Sequence, residues 1–320
     1  MGGNHEAPGH LREMYFGGYA SKGIFYLGHS GVFEVGGLRV VGVSGIYKSH
    51  DYDKPLFESP PYSEQTKRSA YHVRKFEIEK LMLIEGKVDI VVSHDWPNGI
   101  TSYGDIETLL RLKDRTGQLR QEVQSNSLGN PHTMRLLKKL KPRYWFAGHM
   151  HAKFAAIYTH DDGSITRFLA LDKCLPRRGF LQMLTSSSVE SLPGSVFLDL
   201  EWLAILKLNN DMLPTNGPGR HPLVPPRDLD IQTVANSLRT HRVAEPKPNK
   251  FEFPYLGQTQ PGNDQYRRWM CAVLGMTDRL GNNQIPAHVP AGAPTNSYET
   301  NTPIASVLSE DALFFEDSYA

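Results

Sequence analysis

Apolar residues recur at two spacings along the chain. Ile24 to Leu27, Val32 to Val35 and Leu38 to Val43 are short apolar runs, and Gly36-Gly37 stands between the last two, which predicts a hairpin. Val73, Phe76, Leu81 and Ile84 recur at helical spacing, predicting a helix from about Gln65 to Glu85 with Gly86 as its stop. Val88 to Ser93 reads as a buried strand ending at His94. A helix opened by Asn130-Pro131 and carrying Leu136, Leu137 and Leu140 leads to the strand Tyr144 to Ala147, with Gly148 opening the loop after it. Ala155 to His160 and Thr166 to Leu171 flank the turn Asp161-Asp162-Gly163-Ser164 as a second hairpin.

Strands alternating with helices, with polar residues collecting just past the strand ends, indicate an α/β or layered α+β domain whose site lies at the C-terminal edge of a sheet. Residues 47 to 66 hold Pro55, Pro60 and Pro61 among aromatic and charged residues, and read as a long functional loop. Beyond Phe180 to Leu184 and the apolar run Leu198 to Leu208, residues 209 to 226 are rich in Pro, Gly and Asn. Helical patterns resume at about 227 to 242 and 263 to 275, and periodicity is lost from about 282. The domain division expected is 1–160 for a first unit, in whose sheet the strand at 166–171 can still take part, 161–280 for a second, and a disordered tail at 281–320.

Composition narrows this picture. In 320 residues, 35 Lys and Arg balance 34 Asp and Glu for a net charge of +1, so binding to a polyanion would have to come from local patches. Two cysteines, Cys174 and Cys271, imply neither a disulfide framework nor a cysteine-rich zinc site and suggest a reducing compartment. No apolar stretch reads as a signal peptide or a membrane span, so a soluble intracellular protein with no membrane partner is expected.

The chemistry concentrates in Gly2-Gly3-Asn4-His5-Glu6, Ser93-His94-Asp95 and Gly148-His149-Met150-His151, all at strand ends or turns. In an extended segment His149 and His151 would point to one side and share a cavity. Imidazole nitrogens with an amide oxygen from Asn4 suit a divalent transition metal: iron, zinc or manganese. His-x-His alone is a weak pattern, and a histidine at a strand end is more often a surface or core residue. The order Gly-Asn-His-Glu, then His after an apolar strand, then Gly-His-x-His is far more specific.

That order resembles the calcineurin-like metallophosphoesterases. Within them the chain is most similar to lariat debranching enzymes, through Ser44-Gly45-Ile46-Tyr47-Lys48-Ser49-His50-Asp51-Tyr52, Pro60-Pro61-Tyr62, Arg68-Ser69-Ala70-Tyr71-His72-Val73-Arg74 and Ser93-His94-Asp95-Trp96-Pro97. His151-Ala152-Lys153-Phe154 and Phe168-Leu169-Ala170-Leu171-Asp172-Lys173-Cys174-Leu175-Pro176 continue a likeness that spans about residues 1 to 206. It implies a β-sandwich flanked by helices, with a smaller C-terminal domain. It also implies metal-dependent hydrolysis of the 2′-5′ phosphodiester at the branch of an excised intron lariat, in the nucleus, with the cytoplasm as a second location. Lariat RNA would be the partner, with splicing-associated proteins beside it. Asn4, His94 and His149 would hold one metal and His151 the other, while His5 would orient the phosphate and protonate the leaving oxygen. Tyr52, Arg68, Tyr71, His72 and Arg74 would contact single-stranded RNA by stacking and phosphate contacts.

The family's pattern starts with two upstream motifs, a His with an Asp or Cys and then a Gly-Asp whose carboxylate bridges both metals. This chain begins against the third motif. The resemblance therefore implies an N-terminally truncated protein with an incomplete second metal position, inactive as written, whose sheet lacks its first strands and presents an unpaired edge. Two other readings remain: a catalytically silent protein that binds branched RNA within splicing, and a general phosphoesterase, against which the Tyr71 to Arg74 segment argues.

Overall fold

A computed structural model describes residues 1–184, 195–217, 222–257 and 264–281. The expected tail lies outside these residues apart from its first position. The helices are α1 (Pro8–Glu13), α2 (Ser49–Tyr52), α3 (Glu64–Ser69), α4 (Lys75–Met82), α5 (Ile106–Lys113), α6 (Gln118–Gln124), α7 (Pro131–Leu140), α8 (Leu200–Asn209), α9 (Asp228–Thr240) and α10 (Gln265–Leu274). The strands are β1 (Gly18–Ser21), β2 (Ile24–Tyr26), β3 (Ser30–Val35), β4 (Leu38–Val43), β5 (Ile90–Ser93), β6 (Tyr144–Ala147), β7 (Phe154–Thr159), β8 (Ile165–Ala170) and β9 (Val196–Leu198).

The class is the α/β expected. β1 and β2 form a small antiparallel ribbon, and the other strands form a seven-stranded mixed sheet in the order β7-β8-β6-β5-β4-β3-β9, flanked by helices. β4, β5, β6 and β8 run parallel, with Val43 beside Ser93, Val92 beside Phe146 and Ala147 beside Ala170. Their C-terminal ends therefore open on one edge, and the loops leaving them carry Ser44-Gly45, His94-Asp95, His149-Met150-His151 and Asp172-Lys173 to the same place. The Gly36-Gly37 turn joins β3 to β4 with φ of 59° and 79°, left-handed values that suit glycine in a two-residue hairpin.

The sheet departs from expectation at its edges. β9 lies against β3 and is covered on its far side, where Leu198 donates to the Phe251 carbonyl and Phe253 to the Val196 carbonyl. On β7 a single isolated bridge joins Ala156 to Gly104. Backbone from a distant segment thus pairs β9 at an edge of the sheet, where an unpaired edge was expected. Position 160 falls within the β7–β8 hairpin, and α8, α9 and α10 share one continuous apolar core with the sheet, centred on Trp96, Trp145, Trp202, Phe33 and Phe168.

The helix expected from Gln65 to Glu85 is two helices. Between α3 and α4 the chain is extended, because Ile46 donates to the Tyr71 carbonyl and receives from the Val73 amide. Long-range pairing there replaces the helical ladder. At the other end of the chain, residues 198–208 split into the end of β9 and α8, and no helix or strand forms at 180–184.

Under α4 lies a buried ionic network. Glu77 accepts from Tyr15 Oη at 2.5 Å and from the Ser30 hydroxyl, and pairs with Lys80 Nζ at 2.9 Å. His29 borders it with its Nδ1 sealed and without a hydrogen-bond partner among the described residues, and burial lowers its imidazole to about 4. The unfolded chain therefore binds a proton that the folded chain refuses between pH 6.5 and 4, so folding stability should fall as pH drops through that window. The His29 contribution lost by pH 4 is about 3 kcal/mol. Urea unfolding at pH 7 and 4.5 checks this: His29→Gln should flatten the difference between the two, and an unchanged difference would refute it.

Candidate metal centre

The C-terminal edge of the parallel strands receives the N-terminal turn through two contacts. The Gly2 amide donates to Ser44 Oγ at 3.1 Å, and the Gly45 amide donates to the Gly2 carbonyl at 2.9 Å. This brings Asn4 Oδ1 to 2.9 Å from His94 Nε2. Gly3 lies against the imidazole face, where a Cβ would fall 2.6 Å from His94 Cε1. The His149 ring centroid is 5.0 Å from that of His94. The floor beneath is stiff: Trp145 Nε1 donates to Ser93 Oγ, which donates to the Asp95 carbonyl, and Trp96 Nε1 donates to the Gly148 carbonyl.

Burial, reinforced by repulsion from His149, His151, His5 and the amino terminus, lowers His94 to about 4. At neutral pH its ring is therefore uncharged, the form a metal ligand requires. The same interactions place His149, His151 and His5 within electrostatic reach of His94. Asn4 and His94 are brought into contact with the His149 ring beside His94, whereas His5 and His151 are exposed. The extended geometry expected for Gly148 to His151 does not form. His149 and His151 both have left-handed φ, 61° and 50°, because the loop turns tightly enough for the Met150 amide to reach the Gly148 carbonyl at 2.7 Å. Such conformations are uncommon in non-glycine residues and cluster at functional sites.

The donor set of one amide oxygen and imidazole nitrogens fits a single divalent transition ion. The neighbouring carboxylate, Asp95, accepts from the Tyr47 amide with one oxygen and from the Trp96 amide with the other, which commits it to loop structure. A separate group also fits a metal: His50, Asp51 and His72 have ligand atoms that all lie within 4.8 Å of one another, the one such trio of His, Cys, Asp or Glu among the described residues.

The residues expected to touch RNA divide by burial. Arg68 is exposed and Tyr71 half-buried. Tyr52 is buried and stacked on His132, with centroids 3.7 Å apart and planes at 5°. Arg74 is 1% exposed, its guanidinium 2.5 Å from Glu58 Oε1. His72 Nδ1 lies 2.6 Å from Asp51 Oδ2. His72 and Arg74 fasten the loop to the segment after α3, and Tyr52 ties α2 to α7, so these three side chains are committed within the fold rather than presented to RNA.

Sequence reasoning missed a cationic rim. Lys113, at the end of α5, donates to the His151 carbonyl at 2.5 Å. Desolvation, then Lys173 and Lys113, lower the His151 imidazole, against which only Asp172 acts. Arg178 pairs with that Asp172 at 3.2 Å. The basic run from Lys173 to Arg178 was the available signal; nothing local pointed to Lys113.

Comparison with known proteins agrees with this architecture. Residues 163–255 match the family model described as lariat debranching enzyme, C-terminal domain. The chain is 50% identical to a lariat debranching enzyme of Arabidopsis thaliana over 217 residues, covering 67% of this chain and 50% of that protein. It is 36% identical to one of Homo sapiens over 360 aligned positions, 99% of this chain and 65% of that protein. Against one of Drosophila pseudoobscura pseudoobscura it is 42% identical over 341 positions, 88% of this chain and 63% of that protein. The chain thus spans between half and two thirds of the length of these curated relatives.

Proposed function

The chain belongs to the lariat debranching enzyme family, and we propose that it supplies the metal-binding edge and the substrate-facing loops for hydrolysis of the 2′-5′ phosphodiester at an RNA branch point. The observation that carries this reading is the Asn4 to His94 contact of 2.9 Å beside the His149 ring, at the edge where four parallel strands end.

Asn4, His94 and His149, joined by His151 from the rim, would hold iron, zinc or manganese. Bound there, the ion supplies charge neutralisation at the phosphodiester and an activated water. His5, exposed on the same turn as Asn4, is suited to orient the phosphate and to give a proton to the leaving 2′-oxygen. A second ion would need a bridging carboxylate, which Asp95 does not offer. The Lys113, Lys173 and Arg178 rim offers cations to the RNA backbone, while Arg68 and Tyr71 offer a cation and a ring on the loop side. We read residues 161–280 as a C-terminal unit built onto the shared sheet, a division supported by the match at 163–255. A nuclear location follows from the substrate, since lariats arise where introns are excised.

The test incubates the metal-loaded protein, alone and extended with the family's upstream motifs, with a 2′-5′ branched RNA and with a linear 3′-5′ RNA of the same sequence. Scission confined to the branch is expected, and lost in His94→Ala. Tight branched-RNA binding without turnover in both proteins would instead establish a silent binder, and comparable turnover of a simple phosphomonoester a general phosphoesterase. The rim makes a separate expectation. Lys113→Glu with Lys173→Glu should weaken branched-RNA binding at low salt about tenfold or more, and flatten the dependence of log K on log salt by about 0.7 for each phosphate no longer neutralised. An unchanged salt slope would remove the rim from the RNA path.

A further inference from the structure

Asp51 sits where two stretches of chain close on each other. His50 and Asp51 lie on α2, while His72 comes from the extended segment that pairs with Ile46. Asp51 is 3% exposed, and its two carboxylate oxygens face different partners. Oδ1 takes the Lys54 ammonium at 2.7 Å, while Oδ2 lies 2.6 Å from His72 Nδ1 and 3.4 Å from His50 Nε2. We propose that His50, Asp51 and His72 form a divalent-cation site, separate from the Asn4, His94 and His149 group, that takes zinc or a similar transition ion and fastens the 47–72 loop.

Ligand type and spacing support this. Two imidazoles and one carboxylate are a common donor set for such ions, and tetrahedral N/O coordination at about 2.0–2.1 Å sets ligand atoms roughly 3.3 Å apart. The His50 to Asp51 separation already matches. The His72 to Asp51 pair must open by under an ångström as its hydrogen bond gives way to the ion. His72 then keeps its single ring proton on Nε2 and presents Nδ1 to the cation. The His50 side chain is 67% exposed, which leaves a path for the ion and an open fourth position for water.

The charged groups facing the site are Lys54 and Arg74. Arg74 is committed to Glu58, so the competitor for Asp51 is the half-exposed Lys54. No donor is shared with the Asn4, His94 and His149 group, and the charges that act on His94 do not include His50, Asp51 or His72. The inference is therefore independent of the debranching assignment.

The test is cobalt uptake by the full chain, followed by equilibrium dialysis and visible d–d absorption, in a His94→Ala/His149→Ala background. About one equivalent should remain bound. Adding His50→Ala should weaken it tenfold or more, and Lys54→Gln should tighten it several-fold by removing the resident cation. No uptake in a folded double variant, or uptake indifferent to His50→Ala, overturns the proposal. Should that background fail to fold, His50→Ala in the wild-type chain, which alters an exposed side chain, must still lower the cobalt stoichiometry by one, and an unchanged stoichiometry overturns it equally.

Discussion

A methyl group at Gly3 is expected to weaken divalent-metal uptake at the Asn4, His94 and His149 group tenfold or more, although Gly3 donates no ligand atom. The added Cβ would lie 2.6 Å from His94 Cε1 and 2.9 Å from its Nδ1, well inside contact distance. The ring has little room to shift, because the His149 imidazole packs beside it and the loop beneath is bonded to Trp96 and Trp145. Overpacking of this kind costs about 1–3 kcal/mol, and 1.4 kcal/mol already corresponds to a factor of ten in affinity. Calorimetric titration with zinc or manganese measures it, with His94→Ala as the benchmark for complete loss. Wild-type affinity in Gly3→Ala would show that the His94 face is not where the ion is held.

Glu58→Ala should cost about 3–5 kcal/mol of folding stability, the range for a buried ion left without its partner. Arg74 and Glu58 are 1% and 2% exposed, and the guanidinium also donates to the carbonyls of Ser69, His72 and Pro55. These contacts hold the loop carrying Pro55 and Glu58 against the start of α4, beside His72 and Asp51. A double variant, Glu58→Ala with Arg74→Met, should recover most of the loss, because no charge is then stranded in the interior. Urea denaturation of the single and double variants decides it, and a single-variant loss below about 1 kcal/mol would mean that the pair is effectively solvated.

Burial in the folded chain explains why the residues expected to face RNA were harder to read than those expected to hold a metal. Arg68, Tyr71, His72 and Arg74 look alike in sequence, as cations and rings on one amphipathic stretch. Exposure separates them, and exposure depends on Glu58 and Asp51, which arrive from the preceding loop. Lys113 gains its place beside His151 only because α5 packs over the β6–β7 loop, a contact between positions 38 residues apart.

Read alone, the sequence determined the α/β class, the Gly36-Gly37 hairpin, the strand ending at His94 and the grouping of Asn4 and His94 with the Gly148 to His151 loop. Apolar periodicity and turn chemistry are local, and parallel strands necessarily deliver their C-terminal loops to one edge. Tertiary structure decided the break between α3 and α4, the covering of the β9 edge, the left-handed turn at His149 and His151, and the assembly of His50, Asp51 and His72. Each of these rests on a hydrogen bond or charge pair between segments distant in the chain, and neither residue of such a pair carries a local mark of the other.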